Sequence, residues 1–230
     1  MNRLTLLLLS IVLISCNNTE KKEQLPEKKQ VVQPTIKSIE EVKSKIKRFN
    51  DFIPSDYELV ISRNELNKVM SDFNKDGISD YAVLLASGKN DRDYANTKDV
   101  RLAIFEGQAD GSFVLKSQTG NLTSAFLHVN PNRRIKVARA NVISVKYESM
   151  RHDYELQIKY DKTYNDYMLI GSEYNNYGNA AKDGAGNINS NFIEGKRVST
   201  IGKKKTTTLD KKLLPISAIN DGNIYELIGG

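Results

Sequence analysis

Residues 143–160 read ISVKYESMRHDYELQIKY, and their periodicity sets the fold class. Ile143, Val145 and Tyr147 alternate with Ser144, Lys146 and Glu148. Tyr154, Leu156, Ile158 and Tyr160 alternate with Glu155, Gln157 and Lys159. A period of two turns apolar groups to one side of an extended chain and polar groups to the other. Both runs are therefore expected as half-buried strands, with Met150–Asp153 as the turn between them. Outward from here the pattern recurs. Tyr81–Leu85 and Val100–Phe105 are nearly continuous apolar runs, as expected of strands buried on both faces. Ala109–Ser112, Asp161–Asp166 and Asp183–Gly184 carry turn residues between such runs. Strands joined by short polar turns favour an antiparallel meander.

One segment breaks the period. Ile36, Ile39, Val42, Ile46, Phe49 and Phe52 recur at three- and four-residue steps, Ser38 and Glu41 form a capping-box pattern, and Pro54 supplies a stop. This predicts a helix with one core-facing apolar stripe. The expected class is α+β, mainly β: an antiparallel sheet of about six to nine strands behind an N-terminal helix.

The first sixteen residues carry an address. Arg3 precedes an apolar run from Leu4 to Ile14. That run is shorter than the roughly 20 residues of a spanning helix and has the layout of a secretory signal. Leu13-Ile14-Ser15-Cys16 resembles the bacterial lipobox, and Cys16 is the one cysteine of the chain. The resemblance implies a signal peptide over 1–15, cleavage before Cys16 and acylation of its thiol. Two or three acyl chains give stable membrane anchoring without a spanning helix. By resemblance to lipoprotein sorting, where an aspartate after the cysteine retains proteins in the inner membrane, Asn17 leans to the outer membrane. The absence of an acidic run after Cys16 favours its periplasmic face. Residues 16–35 are polar, mixed in charge and broken by Pro26 and Pro34, a composition expected of a flexible tether. Residues 36–230 suffice for a single globular domain.

The formal net charge is +6. Its densest cluster is Lys203-Lys204-Lys205 with Lys211-Lys212 nearby, read as a solvated edge or as an attraction to anionic headgroups. No recognised nucleic-acid module is present.

Residues 72–85 read DFNKDGISDYAVLL. Asp72, Asn74, Asp76 and Asp80 occupy positions 1, 3, 5 and 9, Gly77 permits a sharp turn, and Ile78 can offer its carbonyl. Crowded carboxylates repel unless a cation lies among them, and hard oxygens at this spacing suit calcium. Position 12 is Val83 where an EF-hand needs glutamate, so that reading fails. The pattern, followed by Tyr-Ala-Val-Leu, resembles the calcium loop of FG-GAP or VCBS-type repeats. The resemblance spans about residues 52–200, with Gly107–Phe113 matching a second stretch of such repeats loosely. It implies calcium ligation by Asp72, Asn74, Asp76, the Ile78 carbonyl and Asp80. One loop does not make a propeller, and the layout is closer to small exported bacterial lipoproteins that carry a single such loop. Asp183–Asn189 has fewer carboxylates and reads as a plain glycine-rich turn.

Nothing in the sequence assembles a catalytic constellation. His128 and His152 lack zinc-protease spacing, there is no nucleophile elbow or P-loop, and Glu148 with Glu155 is a weak acid–base pair. The expected function is a non-enzymatic, lipid-anchored envelope protein with a structural calcium loop, acting as a binding or structural module toward an envelope protein or polysaccharide. An envelope hydrolase with a scattered site is the alternative.

Overall fold

The computed structural model describes residues 48–62, 65–87, 99–122, 132–179, 181 and 183–229, all of them within one compact unit. The strands in chain order are β1 (Tyr57–Leu59), β2 (Ile61–Ser62), β3 (Glu65–Leu66), β4 (Lys68–Ser71), β5 (Asp80–Ser87), β6 (Asp99–Gly107), β7 (Phe113–Gln118), β8 (Asn132–Val137), β9 (Ile143–Glu148), β10 (His152–Asp161), β11 (Asp166–Asn176), β12 (Gly186–Asn191), β13 (Lys196–Ser199), β14 (Lys205–Thr208) and β15 (Leu214–Pro215). A five-residue helix, α1 (Ile224–Ile228), follows them and ends on Gly229 in the left-handed region, φ 87°.

The mainly β class expected from the alternating runs is the class observed. β8 to β14 form an antiparallel meander in sequence order, and β15 adds to the flank of β11, giving an eight-stranded sheet. β1, β4, β5, β6 and β7 form a five-stranded sheet, and β2–β3 a small separate ribbon. β5 is shared along one side: β4 pairs with residues 80–83 and β1 with residues 85–87.

The two larger sheets meet in a common core. Ala82, Leu84, Ala86, Val100, Leu102 and Ile104 come from the five-stranded sheet, and Ile143, Val145, Tyr147, Tyr154, Leu156, Ile158, Tyr167 and Leu169 from the eight-stranded one. Tyr147 stacks on Tyr154 at 5.1 Å between ring centroids. Ile216, Ile219, Ile224 and Ile228 complete this core. β5 and β6 are buried on their other face too, where Val83, Leu85, Ala103 and Phe105 pack with Phe49 and Leu59. This explains why their sequences run apolar without alternation, while β9 and β10 alternate.

Two expectations change. The helix face of residues 36–52 falls mostly outside the described residues; its last part, Phe49–Phe52, is a single 3₁₀ turn. The Asp51 carboxylate accepts the Arg48 N–H at 2.8 Å, and Ile53 is extended, the conformation that a following proline imposes. Phe49 lies 4.1 Å from Tyr81 and 5.3 Å from Phe105 between centroids, so the turn pins the outer face of the five-stranded sheet. The turn over Met150–Asp153 is also shorter, because His152 and Asp153 already belong to β10, with Asp153 opposite Glu148. The described residues do not include Cys16 or His128.

Candidate functional site

The aspartate stretch is the connection of the β4–β5 hairpin. Ser71 pairs with Asp80, and residues 72–79 curl between them. Lys75 (φ 64°) and Gly77 (φ 93°) take left-handed backbone, which turns the intervening side-chain oxygens back onto the loop's own amides. Asp72 accepts the Asp76 N–H on Oδ1 at 3.1 Å and the Gly77 N–H on Oδ2 at 3.0 Å. Asn74 Oδ1 accepts the Asp76 N–H at 3.0 Å, and Asp76 Oδ1 accepts the Ile78 N–H at 2.8 Å. The Asn74 amide donates to Asp76 Oδ2 at 2.9 Å. Positions 1, 3 and 5 thus face inward, as the spacing predicts.

Asp80 behaves differently from the exposed Asp76. It is fully buried, and its oxygens accept the Phe73 N–H at 2.9 Å and the Gly107 N–H at 3.1 Å. Burial pushes its carboxyl above the ordinary aspartate range, the nearby Asp76 charge adds to this, and the amide bonds oppose it. Gly107 must be glycine here for lack of space: a Cβ would lie 2.3 Å from the Ser79 carbonyl oxygen.

Residues that the sequence pattern did not single out complete the site. Tyr81↔Phe105 is the pair nearest this end of the β5–β6 ladder, so Glu106 comes beside Asp80, and like charges side by side on adjacent strands are destabilising. Among the described residues Glu106 Oε1 is buried without a hydrogen-bond partner, as is the hydroxyl of the fully buried Tyr167. The Tyr167 phenol is held well above its usual range, first by burial and then by the charges of Asp80 and Glu106. Against this negative charge stands Lys116, 3.9 Å from Glu106. Asn141, itself left-handed at φ 59°, donates from the β8–β9 connection to the Asp72 carbonyl at 2.7 Å. The only sequence cue to Asn141 was its residue type, since asparagine tolerates left-handed backbone. Glu106 and Tyr167 gave none, because their significance lies in which strands lie next to each other.

The donor set suits a hard divalent cation. Each carboxylate oxygen offers two acceptor sites, so an N–H bond on one leaves the other for a metal. The half-buried Glu106 carboxylate beside Asp80 gathers negative charge here that Lys116 offsets only from 3.9 Å. As the side chains stand, no group of three Asp, Glu, His or Cys residues among those described has closed to metal-holding distance, so ligation needs the Asp72 and Asp76 carboxylates to draw together.

The remaining expectations concern the outer face of the eight-stranded sheet and its turns. Glu148 pairs with Lys146 at 3.3 Å and Glu155 with Lys136 at 3.5 Å. Each carboxylate thus meets a lysine on this sheet face, and Lys146 is shared with Asp153. Asp153 is buried and bound by Asn175 Nδ2 at 2.8 Å, by the Tyr177 hydroxyl and by Lys146. Burial pushes its carboxyl up, but those donors and the Lys146 charge outweigh it and hold it below the usual range. His152 Nδ1 meets Ser149 Oγ at 3.1 Å across the tight turn. In Asp183–Asn189, Asn179 Oδ1 accepts the Asp183 N–H and Gly184 is left-handed, so the stretch begins as a turn, but from Gly186 onward it is strand β12 and not a plain turn. No protein-family model, curated protein or solved structure matches this chain.

Proposed function

We propose that this chain is a non-enzymatic lipoprotein of the bacterial cell envelope, anchored through Cys16, whose Asp72–Asp80 loop holds a structural calcium ion. Asp72, Asn74, Asp76 and Asp80 would hold the ion together with the Ile78 carbonyl. The ion would offset the charges of Asp72, Asp76 and Asp80, which Lys75 balances only in part, and fix the hairpin at the head of β5. The domain then serves as a binding or structural module toward an envelope partner, protein or polysaccharide, at the periplasmic face of the outer membrane.

One observation carries the calcium reading: Asp80 and Glu106 stand together beside the orphaned Tyr167 hydroxyl, directly behind a loop whose oxygens already point inward. Lipid anchoring is supported by the order of residues 3–16 alone.

Thermal unfolding tests the ion. A ligand that binds the folded state stabilises by about 2.7 kcal/mol at a hundredfold excess over its Kd, which for a domain of this size raises Tm by roughly 5–10 °C. Millimolar calcium against excess chelator is expected to give that shift, and Asp76→Asn to abolish most of it. Superimposable melts would sink the proposal.

A further inference from the structure

We propose that the β13–β14 ribbon at the edge of the eight-stranded sheet is an electrostatic docking surface for the anionic phospholipid headgroups of the membrane. Residues 194–212 hold six lysines and one arginine against Glu194 and Asp210, a net of five positive charges. From Cys16 onward the whole chain carries that same excess, six less Arg3. The rest of the mature sequence is therefore neutral, and its imbalance is concentrated in nineteen residues.

The structure places those charges outside the core. β14 is the terminal strand of the sheet, and all four of its residues are exposed. Lys196 pairs with Thr208 and Ser199 with Lys205, so Lys203, Lys204 and Lys205 cluster at one end of the hairpin. At the other, Leu209 donates to the Gly195 carbonyl, and Lys211 packs against Gly195, next to Lys196. Among the described residues none of these six lysines forms an ion pair, as Lys116, Lys136 and Lys146 on other strands do. Arg197 is the exception within the ribbon: it turns inward to the Glu226 and Leu227 carbonyls at the end of α1.

A lysine on an edge strand is a common guard against edge-to-edge pairing. That accounts for Lys205, which lies in the strand, but not for Lys203, Lys204, Lys211 and Lys212, which lie outside it. Thr206, Thr207 and Thr208 between the clusters present no apolar wedge, so the contact is adsorption by charge without insertion. Headgroup phosphate is favoured over other anions because the anchor reading, on which this inference rests, keeps the domain beside a bilayer.

The test uses the mature chain from residue 16 with Cys16→Ser, so that no acyl group contributes, in chelator so that calcium cannot bridge. Vesicles of phosphatidylcholine and of phosphatidylcholine mixed with phosphatidylglycerol are sedimented with the protein. Binding is expected only to the mixed vesicles, and it is expected to fall steeply with added salt. A lysine near an anionic surface contributes roughly fivefold to partitioning, so K203A/K204A/K205A is expected to weaken it about a hundredfold with an unchanged melting curve. Equal binding to both vesicle types, no binding, or an unaffected triple variant would overturn the proposal, as would retention on an acidic polysaccharide without vesicle binding. Labelling of the native chain with radioactive palmitate tests the anchor separately.

Discussion

Asp80 is the residue on which the loop turns. It ties the Phe73 amide on its own hairpin to the Gly107 amide at the end of β6. Asp80→Asn is expected to destabilise the calcium-free domain by about 1–3 kcal/mol, the cost of leaving a buried donor poorly matched, measured by urea unfolding. The pH dependence runs in two windows. Because the folded-state carboxyl of Asp80 lies above its unfolded value, the folded state holds the extra proton. Stability in chelator should then decline as pH rises from the unfolded carboxyl pKa of about 3.9 through the raised folded value, and level off above it. Asp153 has the opposite sign. Its folded value is depressed, so its contribution is full above about pH 3.9 and is lost as pH falls through the folded value. Asp80→Asn should flatten the upper window and leave the lower one; a slope unchanged in both would remove Asp80 from this account. Gly107→Ala drives a methyl into the Ser79 carbonyl and should cost about 1–3 kcal/mol, as overpacking does.

At the scale of elements, the strands differ in what they bury, and their sequences record it. Leu156 is fully buried between the sheets, so Leu156→Ala is expected to cost about 2–5 kcal/mol in the same unfolding measurement. Exposed Val114, on β7, should tolerate alanine within roughly 0.5 kcal/mol. The period-two runs of β9 and β10 were legible because a sheet with one wet face forces alternation. The apolar runs of β5 and β6 were legible as doubly buried for the converse reason. The hairpin connection was readable as an inward curl because Asp72, Asn74 and Asp76 act through bonds two to five residues away. Glu106, Tyr167 and Asn141 were not readable, because their part in the site depends on contacts made across different strands and connections. The Phe49–Phe52 stripe misled for a related reason: an apolar three- and four-residue step fits a short 3₁₀ turn lying on a sheet as well as it fits a helix.

For the whole molecule, the aspartate loop is attached to both sheets. Gly107 belongs to the five-stranded sheet, and Asn141 lies between two strands of the eight-stranded one. Calcium is therefore expected to slow amide hydrogen exchange on β5 and β6 and also on β9; protection confined to residues 72–80 would contradict this coupling. Cys16→Ser should abolish palmitate incorporation and release the chain from membrane fractions; unchanged labelling would end the lipoprotein reading. The strand order has a mechanical corollary. β1 is held to β5 by three residue pairs, Tyr57↔Ser87 to Leu59↔Leu85, at the end of β5 opposite the loop. A load entering from the N-terminal side meets the packed Phe49–Phe52 turn and then this short ladder before it reaches the loop. Peeling these two contacts away would dissipate the pull while the hairpin at the far end of β5 stays shut, so they would act as a sacrificial fuse ahead of the aspartate loop.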